Sequence, residues 1–271
     1  MNTILSVAHS GGQGKTTLAQ LLYLAGRKLG QSHSIVSTDF IDESGHSKIG
    51  KLYPDIVREM GVGASLTAAR SENNPNAAIR YWDRIGQIFL DGGSIIDVGA
   101  NVIPNLIEWS ADRHLKKLME RKNSPRVDFF VVCKSERHSM DNVTSLIEEI
   151  LQRDSFRIGR IFVVMNEVGG SFDEAALQKR VEEVAGEQFI GYLKMPKCQS
   201  EIWPAMEKNS VSIEQALAME EDEAVDTLGV DLWTAASGLA ELRTWVDFNI
   251  RTLRDAGAFQ IDAPRLAKRV S

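Results

Sequence analysis

The sequence predicts a doubly wound α/β fold, a mostly parallel sheet with helices on both faces, and three observations lead to it. Short apolar runs of strand character alternate along the chain with segments of helical spacing. Two of the runs, residues 127–133 and 160–165, are almost continuously apolar, as strands buried on both faces must be. The first run ends in a glycine-rich turn that leads straight into a helix, the order of a phosphate-binding crossover. A chain of 271 residues is long enough for one such sheet to bury a large core. With neither repeat nor linker in view, one domain is expected over 1–257, with a core of about 1–215, C-terminal helices over about 212–257 and a tail from 258 to 271.

Taken in order, residues 3–8 form the first strand, and a helix opens on Lys15-Thr16-Thr17 and runs through the apolar positions of 18–27. A second strand is expected over 34–38. The long insertion from 39 to 76 carries Gly45, Gly50, Gly61, Gly63 and Asn73-Asn74-Pro75-Asn76, with a short helix expected near Pro54-Asp55-Ile56-Val57. Loops of this length in compact domains usually carry function. A helix over 76–90 then leads to the strand 94–98, and the runs 127–133, 160–165 and 188–193 complete the sheet. From Ser212 the pattern is helical, with 232–253 the longest stretch, and from Phe259 a loosely packed tail is expected.

The segment Ser10-Gly11-Gly12-Gln13-Gly14-Lys15-Thr16-Thr17 carries the chemistry. Glycines let backbone N–H groups converge on an anion, and the helix N-terminus adds positive potential. Lys15 is placed for the β- and γ-phosphates of a nucleotide, and the Thr16 hydroxyl for Mg²⁺. Asp97 ends the apolar pair Ile95-Ile96 and precedes Val98-Gly99-Ala100-Asn101. A carboxylate there can hold a water of the Mg²⁺ shell, and Gly99 can offer its N–H near the γ-phosphate; an aspartate that merely ends a strand is the alternative.

These motifs resemble the deviant P-loop of the ParA/MinD family of ATPases, P-loop nucleotidases of the SIMIBI type with a doubly wound sheet. The resemblance covers roughly the first 215 residues. It implies ATP and Mg²⁺ as ligands, slow hydrolysis, and a nucleotide held by Gly11, Gly12, Gln13, Gly14, Lys15, Thr16 and Thr17. It implies that Asp39 orients the attacking water, with Asp42 as the alternative, and that Asp39 and Asp97 meet the metal through water. It implies that Asn166 and the loop at Pro196 flank the adenine. Lys15, Asp39 and Asp97 are thus the catalytic candidates. Where the family has a lysine that reaches a partner's nucleotide across a dimer, this chain has Ser10. A homodimer with weakened ATP dependence follows, unless Lys134 or Lys197 supplies the charge. Ser37 and Phe40 stand where the family has an acid and a proline. The implied role is plasmid partition, stability or conjugative transfer beside a DNA-binding adaptor protein. A ligase of the dethiobiotin-synthetase kind and a non-hydrolysing scaffold are the alternatives.

Composition bounds the partners. A net charge of −6 disfavours a surface that coats nucleic acid but leaves room for a local patch. Arg113, Lys116, Lys117, Arg121 and Lys122 are the candidates for direct DNA contact, with a solvated helix face, interrupted by Asp112 and Glu120, as the alternative. The segment 264–270 reads as a disordered basic tail. Cys133 and Cys198 form no disulfide framework and fit a reducing cytoplasm. His9, His33, His46, His114 and His138 lack metal-ligand spacing, which weakens a zinc or iron–sulfur reading. No secretory signal is expected, and no run approaches the roughly 20 apolar residues of a membrane span.

Overall fold

The computed structural model describes residues 1–61, 75–100 and 102–259, with the backbone alone over 75–80. Seven strands form one sheet: β1 (Thr3–Val7), β2 (Ser34–Ser37), β3 (Val57–Glu59), β4 (Ser94–Asp97), β5 (Val127–Lys134), β6 (Ile158–Asn166) and β7 (Ile190–Met195). Their order is β3-β2-β4-β1-β5-β6-β7, and every pairing is parallel. Helices α1 (Lys15–Lys28), α2 (Lys48–Leu52), α3 (Pro75–Asp91), α4 (Ile103–Asp112), α5 (Leu115–Arg121), α6 (Arg137–Arg153) and α7 (Glu174–Ala185) are followed by α8 (Trp203–Lys208), α9 (Ile213–Ala218), α10 (Glu221–Leu228) and α11 (Leu232–Asp255).

Two-sided burial explains the apolar strands. Along β1, Ile4 faces a core that includes Leu22 of α1 and Leu242 of α11, while Leu5 faces a second core that includes Phe89 of α3 and Leu146 of α6. All five residues of β1 are buried. Because β1 connects to β2 on one side while β4 connects across it to β5 on the other, a crevice opens at the carboxyl end of β1. Doubly wound sheets bind ligands at such a switch point.

The insertion departs from expectation. No helix forms at Pro54–Val57; the helix is α2, and Val57–Glu59 is the edge strand β3, in register with Ile35–Ser37. A proline can open a helix. It also drives its predecessor out of the helical region, and Tyr53 sits at φ −140°, ψ 64°, ending α2 instead. Residues 62–74 of the insertion lie outside the described residues.

The C-terminal helices complete the first core. Leu239, Leu242, Val246 and Leu253 of α11 are buried with α1. Phe259, where a loose tail is expected, is buried against His33, its ring centroid 5.8 Å away, and accepts from Gln31 Nε2 at 2.7 Å. Residues 260–271, with the basic segment 264–270, lie outside the described residues. Among the described residues no helix is long and apolar enough to cross a membrane.

Candidate functional site

Between β1 and α1 the chain crosses the switch point as a loop. Gly12 (φ +71°) and Gly14 (φ +103°) take left-handed backbone that side chains resist. A Cβ on Gly14 would also lie 2.4 Å from Asn166 Nδ2, whereas one on Gly11 or Gly12 would meet nothing within 4 Å. The loop is therefore tight behind and open in front.

Buried side chains hold it in that shape. Gln13 donates from Nε2 to Ser10 Oγ at 2.9 Å, and its Oε1 accepts from Ser139 Oγ at 2.7 Å and from the Lys134 N–H at 3.0 Å. Asn166 Nδ2 donates to the Gln13 carbonyl at 2.7 Å, and its Oδ1 accepts from the Val168 N–H at 3.2 Å. Ser6 Oγ donates to the Lys15 carbonyl at 3.0 Å. The Gln13 side chain thus braces the loop, and what it presents to a ligand is backbone. An amide group has two N–H donors and two lone pairs, so Asn166 retains one of each beyond these bonds. Ser139, which the sequence does not announce as a site residue, completes the brace.

Three charged groups meet at the start of α1 and the end of β4. Lys15 is buried, and desolvation lowers its proton affinity below the ordinary lysine value while the charges of Asp97 and Asp39 oppose the shift. Its Nζ donates to the Ser10 carbonyl at 3.4 Å. Asp97, buried at the end of β4, has its carboxyl pushed up to about 6, chiefly by burial, with the Thr16 hydrogen bond and Lys15 acting against it. Thr16 Oγ1 donates to Asp97 Oδ2 at 2.8 Å, joining residues 81 apart in sequence. Asp39 packs on the backbone of Gly99, where a Cβ would lie 3.0 Å from Asp39 Oδ1. The Gly99 N–H points to Thr38 Oγ1 at 3.4 Å. Asn101 lies outside the described residues.

Asp42 is placed differently. Its carboxylate is bound by Lys51 and by Ser44, which hold it well below the usual carboxylate range. Of the two aspartates, Asp39 is the one electrostatically joined to Lys15 and Asp97.

A cavity of about 540 Å³ continues outward from Thr16 and Asp39 toward α2 and α8, with Lys48, Leu52, Trp203 and Met206 on its walls. The insertion builds one side of it. Ser47 caps α2, its Oγ accepting from the Gly50 N–H at 3.1 Å, and Glu59 of β3 accepts from Ser47 N–H at 2.8 Å and from Ser47 Oγ at 3.0 Å. A Cβ on Gly50 would fall on Glu59 Oε1, so glycine lets the two elements close together. The sequence predicts none of this arrangement; Ser47 directly before Lys48–Leu52 is the signal that could have found the cap.

Opposite, the Pro196 carbonyl accepts from Trp245 Nε1 of α11 at 2.7 Å, and Ser200 Oγ donates to the Gly238 carbonyl at 2.7 Å. The loop expected to flank a base is thereby tied to the C-terminal helix.

The basic stretch is split, with α4 ending before Arg113 and α5 starting at Leu115 after His114 at φ +51°. Arg113 pairs with Asp83 and Lys116 with Asp154, while Lys117, Arg121 and Lys122 are exposed. Because α5 leads into the start of β5, this surface lies at the end of the sheet away from the phosphate loop. Cys133 and Cys198 are free thiols.

The residues present fit a magnesium nucleotide. Mg²⁺ prefers oxygen donors, and Thr16, Asp39 and Asp97 supply only oxygen. Among the described residues no three His, Cys, Asp or Glu side chains converge as a metal cluster, so such an ion would be held by Thr16, the nucleotide and water.

No family model matches the chain, and no curated protein matches it. Solved structures similar to it include a nucleotide-binding protein in complex with ADP from Archaeoglobus fulgidus, at 15% identity over 72% of this chain and 81% of that one, TM-score 0.43. The MinD cell division protein of Aquifex aeolicus is similar at 14% identity over 98% and 100%, TM-score 0.46. The MinC:MinD cell division protein complex of the same organism is similar at 14% over 98% and 99%, TM-score 0.43.

Proposed function

We propose that this chain binds ATP with Mg²⁺ at the Gly11–Thr17 loop, hydrolyses it slowly and uses the two nucleotide states as a switch. The observation that carries this reading is the joining of Thr16 to Asp97 beside the buried Lys15, at the mouth of a loop whose Gly11 and Gly12 face open space. Lys15 and the loop amides would neutralise the phosphates, and Thr16 and Asp97 would place the metal, which when bound shields charge on the phosphate oxygens. Asp39 would orient the attacking water. Asn166 and Pro196 flank the base in this reading.

Motif resemblance supports a setting in plasmid partition, stability or conjugative DNA transfer, with a DNA-binding adaptor protein as partner. Because Ser10 is uncharged and short, a homodimer would form with little dependence on ATP. The exposed Lys117, Arg121 and Lys122 are the residues left for direct DNA contact.

The cavity favours a second reading. A ligase of the dethiobiotin-synthetase kind needs room for a second substrate beside the terminal phosphate, and about 540 Å³ lies there. Phosphate release measured with double-stranded DNA and, separately, with a panel of small amines and carboxylates distinguishes the two.

The primary test is calorimetric titration with Mg·ATP. Lys15→Ala is expected to weaken binding by about 100-fold or more, since a charge-assisted contact to phosphate is lost, while the fold persists by circular dichroism. Equal affinity in the two proteins would refute nucleotide binding at this loop.

A further inference from the structure

We infer that Lys48, carried by the insertion after β2, contacts the terminal phosphate of the bound nucleotide and makes the chain prefer a nucleoside triphosphate to a diphosphate. This rests on nucleotide binding at the phosphate loop, and goes beyond it by assigning the discrimination to one residue.

Position is the first ground. Lys48 lines the same cavity as Thr16 and Asp39, so its flexible four-carbon stem starts from the wall of the space into which a terminal phosphate would project. Availability is the second. The neighbouring Lys51 is paired with Asp42, whereas Lys48 is exposed and has no hydrogen bond or ion pair among the described residues. The third ground is charge. The loop brings one lysine, Lys15, and the residue ahead of its glycine pair is the neutral Ser10, so a triphosphate is short of cationic partners.

The support beneath Lys48 is built from the insertion itself. Ser47 caps the helix that Lys48 opens, Glu59 of β3 holds both the N–H and the hydroxyl of Ser47, and Gly50 allows Glu59 to come close. A lysine in the first turn of a helix is unfavourably placed for the helix dipole, whose N-terminus favours anions. Glu59 is thus a positioning residue for Lys48.

Calorimetric titrations with the Mg²⁺ complexes of ADP and of a non-hydrolysable ATP analogue test the proposal. In Lys48→Ala the analogue is expected to bind about 10- to 100-fold more weakly and ADP to change less than twofold, because only the triphosphate carries the contacted group. Lys48→Arg should recover most of the loss, Lys51→Ala should leave both affinities within twofold, and Glu59→Gln should lower the triphosphate preference by a smaller factor. Thermal melts that match wild type show that each variant folds. Equal losses for both nucleotides in Lys48→Ala, no loss for either, or the same selective loss in Lys51→Ala would each overturn the assignment to Lys48. Binding of neither nucleotide by the wild-type chain would instead remove the reading on which it rests.

Discussion

From Ser10 to Lys15 the chain is tied down by buried side chains from two strands and a helix, whereas from Asp39 to Ser47 it is held mainly by bonds to its own neighbours. In the first segment Gln13 is bonded to both Ser139 and Asn166, and Ser6 donates to the Lys15 carbonyl, all four side chains being buried. In the second, Asp39 accepts from Phe40, Asp42 from Ser44, and Phe40 is 68% exposed. Segments with few buried contacts rearrange at low cost, and those with many do not. One side of the site is thus a braced loop and the other a segment with few buried contacts, which can rearrange at low cost. Asp39 belongs to the second, and Lys48 opens the short helix that follows it.

The comparison can be broken most directly on the rigid side. Gly14→Ala places a side chain at φ +103° and 2.4 Å from Asn166 Nδ2, and should lower stability by about 3 kcal/mol or more in urea unfolding. A loss below about 1 kcal/mol would show that the loop yields as easily as the segment opposite.

Asp97 sharpens it through pH. Its folded-state value of about 6 lies above the ordinary 3.8, so the folded chain binds the proton more tightly than the unfolded one. That contribution to stability is full below about pH 4 and is lost as pH rises through about 6. Asp97→Asn removes the dependence, and at pH 7 without nucleotide it should be more stable than wild type by about 2 to 3 kcal/mol. Parallel stability–pH curves for the two proteins would contradict this.

The two aspartates of the loosely held segment give the smallest effects. Asp39→Ala should slow phosphate release by about 10- to 100-fold, as loss of a water-orienting group does. Asp42→Ala, which removes an exposed pair with Lys51, should change neither phosphate release nor the urea midpoint beyond experimental error. A slow Asp42→Ala beside an active Asp39→Ala would exchange their roles.

What the sequence determined by itself is local. The runs at 3–8, 94–98, 127–133 and 160–165 and the helices at 76–90 and 232–253 are legible because burial on two faces, or on one stripe, writes a periodic pattern into consecutive residues. Gly12 and Gly14 are legible as a turn because left-handed backbone between a strand and a helix favours residues without a Cβ. The tertiary structure decided what joins distant residues. That Thr16 donates to Asp97, that Asn166 and Ser139 both close on Gln13, and that Trp245 holds Pro196 depends on strand order and side-chain direction, which no local window contains. The edge strand Val57–Glu59 escaped for the same reason: three residues carry too short a pattern, and pairing with Ile35–Ser37 is what makes them a strand. Lys48 reads as an ordinary surface lysine until Glu59, eleven residues later, folds back to hold the helix that presents it to the cavity.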